Sequence, residues 1–578
     1  MTTPFCRFRV FVLSLLGFAA AAAGAAGDFH SWAETPPMGW NSWDCFATTA
    51  TDAMTRAQAD VMASELSAHG WRYVVVDVQW YEPGATGFDY HAKAKLTLDG
   101  YGRLVPAPNK FPGAAGGLGF SSLSDYIHKK GLKFGIHLMR GIPRQAVELN
   151  LPILGTPYHA ADIADTVNVC AWNADMYGVD MSKPGAQAYY DSVFSLIASW
   201  GVDFVKVDDL SRPYVRNEPE IEAVRRAIDR TGRAMILSTS PGETDIAAAA
   251  HAVAHANMWR ISDDFWDHWS LLEAQFGRLD KWSTWTQPGA WPDADMIPIG
   301  TIELGRKTWF SPSEQETLMT LWSIARSPLM LGADLTKLDS STLALLTNDE
   351  VIAVNQASSN NRQLFRRPDG EIGWIADAGD GRGKYVALFN TRDPWVLNDA
   401  NRIWKGPVVT SATPGQRISF EFPVKGLHTV VLVADDGPSQ RFWWPSVLRD
   451  VRWVMADGRE TPADRDYGSH GERINGIAVP AGAVTLRGSG LLDATAAEDG
   501  KGEGMAFSAY GFTAENLREH SRAVTVQIDA LGLGKQVAIR DLWNHRDLGE
   551  FSGNFAPEIE WHGARMYRVT AAQRQPFQ

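Results

Sequence analysis

Cysteine is nearly absent from this chain, with three in 578 residues. Cys6 lies in the first segment, so Cys45 and Cys170 are the sole candidates for a disulfide, and their separation neither supports nor forbids pairing. CxxC pairs, an HExxH helix and a Gly-rich loop ending in Lys-Ser/Thr are missing as well. Structural zinc, a zincin site and nucleotide hydrolysis therefore lack their usual sequence warrant, and no metal or cofactor is expected. Positive charge is in deficit, with 54 Lys and Arg against 67 Asp and Glu, a formal net charge of −13. General nucleic-acid binding draws its affinity from Lys and Arg on phosphates, so nucleic acid is excluded as a partner, and anionic surfaces are equally poor ones. Beyond the first residues no apolar run is long enough to span a bilayer, and 45% hydrophobic with 21% charged residues excludes both a polytopic membrane protein and a disordered chain.

What is present begins with Arg7 and Arg9, an apolar run from Val10 to Ala23 and the small residues Gly24-Ala25-Ala26. That is the layout of a cleavable signal peptide over residues 1–26, so the expected location is secreted or periplasmic, with no membrane attachment after cleavage. Aromatic residues are plentiful: 23 Trp, 25 Phe and 14 Tyr. Trp offers a flat apolar face suited to the C–H face of a sugar ring, and equally to a large core.

From about residue 36 to 340, short β-branched or apolar runs alternate with helix-like stretches, the pattern of βα units around a parallel sheet. Eight runs are readable: Met38 to Trp43, Tyr73 to Trp80, Lys133 to Met139, Phe204 to Asp208, Met235 to Ser240, Met258 to Asp264, Asp295 to Gly300 and Leu329 to Leu335. Periodic segments such as Asp52 to Ser67, Ala186 to Trp200 and Glu218 to Arg230 read as packing helices. Eight units suggest an α/β fold of the (β/α)8 TIM-barrel type over residues 27–345, although counting does not exclude an open sheet. A barrel places its chemistry at the C-terminal ends of its strands. Here Asp77, Asp208-Asp209 and Asp263-Asp264 end three of the runs, where buried parallel strands are otherwise apolar. After about residue 350 the chain turns to short alternating strands with Gly, Pro and Asp turns, the texture of an all-β C-terminal sandwich. That region is too long for one small sandwich.

Two carboxylates on different strand ends are the minimum equipment for glycoside hydrolysis, and Asp208 and Asp264 are the candidate catalytic pair. Lys206, two residues before Asp208, points to the same face and favours an ionised nucleophile. Arg260, four before Asp264, can orient a substrate hydroxyl. Asp209 and Asp263 are rivals, but adjacent strand residues face opposite ways, so at most one of each pair should meet the sugar.

Pro36-Pro-Met-Gly-Trp40-Asn-Ser-Trp43, Phe204-Val-Lys206-Val-Asp208, Trp259-Arg260-Ile-Ser-Asp263-Asp264, Trp291-Pro-Asp-Ala-Asp295-Met and Ser327-Pro-Leu-Met-Leu together resemble glycoside hydrolase family 27, the α-galactosidase family. The resemblance implies a retaining double displacement on an oligo- or polysaccharide, with Asp208 as nucleophile and Asp264 as acid/base. It further implies sugar contacts from Trp43, Asp77, Lys206 and Arg260, to which this reading adds Trp80, His137 and Ser240. Arg540-Asp541-Leu-Trp543 and His562-Gly563 resemble the last strands of that family's sandwich, which would occupy 346–395 and 517–578. Residues 396–516 then form an inserted β module. Lys425 to Asp435, Gly468-Ser-His470 and Ala483 to Asp493 resemble the carbohydrate-binding module type known as NPCBM, with Trp443, Trp444 and Trp453 as either stacking platforms or core.

The chain departs from the family pattern in three places. The second strand ends Asp77-Val78 where the family has two acids, His137 stands where a Tyr is usual, and Ser240-Pro241-Gly242 replaces Cys-Glu-Trp. Val78 cannot accept a hydrogen bond, which weakens recognition at the C6 side. α-Galactosidase is the leading expectation; β-L-arabinopyranosidase, whose sugar lacks the C6 group, and isomalto-dextranase are the family alternatives. A non-catalytic sugar-binding barrel would have lost a catalytic acid, and both are present.

Overall fold

The structure is a computed structural model that describes residues 28–572 apart from 394, 411–412, 414, 416, 436–444, 464–466, 471–475, 493–504 and 518–520. The leader expectation for residues 1–26 lies outside the described residues. Eight parallel strands build the first unit: β1 (Met38–Asn41), β2 (Tyr73–Val76), β3 (Lys133–Met139), β4 (Phe204–Asp208), β5 (Ile236–Thr239), β6 (Met258–Arg260), β7 (Trp291–Asp293) and β8 (Leu329–Leu331). They pair in the order β7-β6-β5-β4-β3-β2-β1-β8, and a parallel bridge from Ile297 to Leu331 ties the two edges together. Edge closure leaves no unpaired ladder and makes the sheet a barrel.

A helix follows each strand: α1 (Asp52–Val61), α2 (Ser121–His128), α3 (Ala186–Ser199), α4 (Tyr214–Thr231), α5 (Ala249–His255), α6 (Trp269–Trp282), α7 (Pro312–Ala325) and α8 (Asp349–Ala357). α7 starts on a capping box, in which the Ser311 hydroxyl accepts from the Glu314 amide at 3.3 Å and Glu314 accepts from the Ser311 amide at 2.8 Å, with Pro312 opening the helix.

Two expectations need correction. The seventh strand is Trp291–Asp293, not Asp295 to Gly300. Pro292 in a strand, together with the apolar run Met296 to Ile299, drew attention downstream, yet that run contributes only the closing bridge at Ile297. α4 begins at Tyr214 rather than Glu218, so Pro219 lies inside the helix, where it forgoes the bond to the Val215 carbonyl without ending the helix.

The second unit is a six-stranded antiparallel sheet of Ser359–Arg366, Glu371–Asp377, Lys384–Asn390, Gly563–Ala571, Gln536–Asp541 and Arg546–Ser552, in that order. Strand periodicity divides its side chains between two cores. Ile372, Trp374, Ala376, Tyr385, Ala387 and Phe389 join the barrel core, while Ile375, Val386 and Leu388 pack with Val526, Ile528 and Phe555 on the far side. Between Lys384–Asn390 and Gln536–Asp541 the chain leaves to build an inserted β module of two sheets. The module has its own core around Phe420, Phe422, Leu432 and Leu486. Trp453 belongs to that core and is buried, so it is not a stacking platform; Trp443 and Trp444 lie outside the described residues. Cys45 and Cys170 are both buried free thiols and do not pair.

Trp374 is fully buried in the layer between barrel and sheet. Trp374→Ala is expected to cost about 3–5 kcal/mol of stability, read as a lower denaturant midpoint for the cooperative unit that includes the barrel.

Candidate active site

The Trp40-Asn41-Ser42-Trp43 turn at the end of β1 is a bracket for the next strand. Asn41 Nδ2 donates to Asp77 Oδ2 at 2.7 Å, Ser42 Oγ accepts from the Asp77 amide at 2.9 Å, and Asn41 Oδ1 accepts from the Trp43 amide at 2.9 Å. Asp77 is thereby aimed at the barrel axis, where the Lys206 ammonium sits 3.1 Å from its Oδ2 and 3.9 Å from Asp208 Oδ1. β3 and β4 pair with His137 opposite Lys206, which brings His137 Nε2 within 2.8 Å of Asp208 Oδ2.

Burial works against ionisation of Asp208, but the Lys206 charge and the His137 hydrogen bond outweigh it, with a further pull from Ser240, and hold the carboxyl well below the usual carboxylate range. Lys206 is likewise kept charged against burial by Asp208 and Asp77. With Oδ2 engaged by His137, no donor among the described residues reaches hydrogen-bond distance of Asp208 Oδ1. That oxygen is an ionised, unengaged acceptor inside the barrel mouth, the state a nucleophile needs.

Asp264 occupies a different environment. Its side chain is 34% exposed where that of Asp208 is 8% exposed, so it can exchange protons with water. Arg260 Nη2 reaches Asp264 Oδ1 at 3.2 Å and Asp295 Oδ2 at 2.8 Å. The two neighbours behave differently: Asp263 and Asp264 both line the cavity, because they lie beyond the strand end at Arg260 where alternation no longer applies. Asp209 takes a left-handed φ of 65° and turns outward onto Arg140, while Asp263 pairs with Arg212 at 2.8 Å on the rim.

A cavity of about 320 Å³ opens over these groups, lined by Trp43, Asp77, Val78, Lys206, Asp208, Arg260 and Asp264 from the expected set. Three expected contacts are corrected. Trp80 does not line it; its indole packs edge-on against Phe120 and Trp200 outside the strands and donates to the His137 carbonyl at 2.7 Å. His137 is fully buried beneath Asp208, and Ser240 is buried beside it, so both act on Asp208 and neither lines the cavity.

Sequence reading missed other walls. Tyr90, Trp172 and Trp266 join Trp43 at the mouth, with Trp43 stacked over Tyr90 at 6.2 Å and 6°. These aromatics come from loops that carry no periodic signal. Asp44, next to Trp43, also faces the cavity. Gly332 makes room for it, since a Cβ there would lie 2.0 Å from Asp44 Oδ2. Burial first, then the neighbouring Asp295, push the Asp44 carboxyl well above its ordinary range, and burial with Asp295 pushes Asp293 up to about 7. The floor of the pocket thus mixes ionised and neutral acids, able to accept and to donate hydrogen bonds.

A barrel with acids at its mouth and a C-terminal antiparallel sheet is also what the comparisons to known proteins find. The family pattern described as "Alpha galactosidase A" matches residues 35–183 and 177–357, and the "Alpha galactosidase C-terminal beta sandwich domain" matches 512–569. The chain belongs to this family, glycoside hydrolase family 27. It is a glycoside hydrolase. An α-galactosidase of Coffea arabica is 30% identical over 62% of this chain and 79% of its own length, and α-galactosidase A of Cellvibrio japonicus is 29% identical over 64% and 78%. A solved β-L-arabinopyranosidase of the same family from Geobacillus stearothermophilus is 37% identical, covers 95% of this chain and 99% of its own, and superposes with a TM-score of 0.71.

Asp208→Asn is expected to lower kcat by roughly 10³-fold or more, while Asp209→Asn keeps most of the turnover; the reverse result would move the nucleophile by one residue. His137→Phe removes a hydrogen bond that favours the ionised Asp208 at similar volume. The Asp208 pKa then rises, and the acidic limb of the kcat/KM profile is expected to move to higher pH.

Proposed function

We propose that the protein is a retaining exo-glycosidase that releases terminal α-D-galactose from oligo- or polysaccharides. The observation that carries this reading is the contrast between the two carboxylates: Asp208 buried, ionised and held by Lys206 and His137, Asp264 half-exposed beside Arg260. Asp208 Oδ1 attacks the anomeric carbon while Asp264 gives its proton to the departing oxygen, and Asp264 then takes a proton from the water that cleaves the glycosyl ester. Lys206, Asp77 and Arg260 hold ring hydroxyls, and the closed barrel floor makes the cleavage terminal. The anomer formed first, read by NMR during turnover, is expected to keep the substrate's configuration; inversion would remove the nucleophile role of Asp208.

One observation favours a second substrate in the same subsite. Val78 lines the cavity where the family pattern has an acid for the C6 side, and β-L-arabinopyranose is the galactose ring without its C6 group. Paired aryl α-D-galactopyranoside and β-L-arabinopyranoside test the choice. A pocket short of one hydrogen bond to a charged acceptor loses about 1.5–3 kcal/mol on the galactoside, about ten- to hundredfold in kcat/KM, and Val78→Asp is expected to shift the ratio towards galactoside by that factor. An unchanged ratio would place C6 recognition elsewhere.

The reading also includes export through residues 1–26 and a sugar-binding role for the module of residues 396–516. Deleting the module should leave turnover of soluble aryl glycosides intact while binding to galactose- or arabinose-bearing polysaccharide falls.

A further inference from the structure

α4 and α5 lie side by side on the outside of the barrel, behind β4 and β5. α5 carries His251-Ala-Val-Ala-His255, and a spacing of four puts both imidazoles on one helix face. Their rings stack, with centroids 4.1 Å apart at 26°. Glu222 comes across from α4, and one donor atom from each of the three residues lies within 4.8 Å of the other two.

The outward nitrogens are already committed. His255 Nδ1 sits 2.9 Å from the His251 carbonyl, which can only accept, so its proton is on Nδ1 and the lone pair is on Nε2. His251 Nδ1 is 3.0 Å from the Tyr214 hydroxyl, which can take its proton in a hydrogen bond. His251 Nε2 is enclosed and has no hydrogen-bond partner among the described residues. It stands 3.7 Å from Glu222 Oε1, too long for a hydrogen bond but close to the roughly 3.3 Å between two ligands of one tetrahedral ion bound at about 2.0 Å each. Arg226 holds the other Glu222 oxygen at 2.9 Å, which leaves Oε1 turned to the histidines. Glu218 adds a second negative charge near His251.

We propose that Glu222, His251 and His255 form a divalent-cation site of zinc type, with water in the fourth position. The Nδ1 contacts of both histidines are outer hydrogen bonds of the kind that fix the tautomer in such sites, and ion binding requires one ring to turn out of the stack so that both in-plane Nε2 lone pairs converge. None of the three residues lines the sugar cavity. The ion clamps α4 to α5, and Tyr214, which steadies His251, opens α4 directly after the rim residues Arg212 and Pro213. Its effect is on the stability of that face, not on bond cleavage.

The test uses the full-length, tag-free chain after dialysis against a chelator. Titration calorimetry with Zn²⁺ is expected to give one site per chain, and Co²⁺ in its place to give the intense visible absorption of a tetrahedral complex. His255→Ala and Glu222→Gln should lose both signals, and Tyr214→Phe should weaken binding about 10- to 100-fold. Ala and Gln are good helix formers at half-exposed positions, so aryl glycoside turnover in all three variants serves as the check on folding. No stoichiometric binding by the wild type, or equal binding by His255→Ala, overturns the proposal.

Discussion

Removing an ammonium from water costs several kcal/mol unless its partners repay it, so the buried Lys206 dictates much of what surrounds it. Asp77 and Asp208 provide the two counter-charges, and each is held in place by a further hydrogen-bonding group. For Asp77 that support is the Asn41-Ser42 bracket; for Asp208 it is His137 from beneath. Substitution of either support would leave the triad intact in composition but wrong in geometry. The same arrangement leaves one oxygen of Asp208 without a donor, and the ionised state of that oxygen is a consequence of the pair rather than a property of aspartate.

The second carboxylate is tuned by the opposite means. Asp264 sits where β6 ends and the chain rises to the rim, so it keeps contact with solvent while Arg260 below it divides its charge between Asp264 and Asp295. Asp295 in turn is tied to the structural frame. Its carboxylate accepts from the Phe265 amide at 2.7 Å, and its carbonyl accepts from Trp322 on α7 at 3.0 Å. α7 is also the element on which the C-terminal sheet rests, through Thr317 to the His562 carbonyl at 2.7 Å and Trp543 to Thr320 at 2.9 Å. The sheet is therefore coupled to the Asp264 end of the pocket by one continuous chain of packed and hydrogen-bonded groups. Barrel and sheet share one apolar core, and the module has a core of its own with a smaller cluster joining its Val431 and Phe512 to Trp561.

Much of this was legible before any coordinates. β3 and β4 match the expected runs in both bounds, because each is a short, mainly apolar run bounded by polar and turn residues. The strand-end acids were visible because a charge at the end of a buried parallel strand is costly and stands out. Asp208 could be separated from Asp209, and Lys206 joined to Asp208, by the period of two alone. Trp80 shows where that logic stopped. It follows Asp77 by three, but the strand ends at Val76, so alternation no longer governs which way its ring points. His137 has the right parity for the barrel interior yet lies one layer too deep to meet a ligand, and depth is not written in a periodic pattern.

The sequence by itself determined the alternation of strands and helices and the acids at the strand ends, since each is a local property of residue type and spacing, while the lost acid at Val78 was visible only against the family pattern. Only the tertiary structure decided which groups meet. The closing bridge at Ile297, the aromatic rim of Tyr90, Trp172 and Trp266, the inward-facing Asp44 and the convergence of Glu222 with His251 and His255 all join segments distant in the chain. Their positions follow from barrel closure and helix packing, which fix distances between residues that no local periodicity connects.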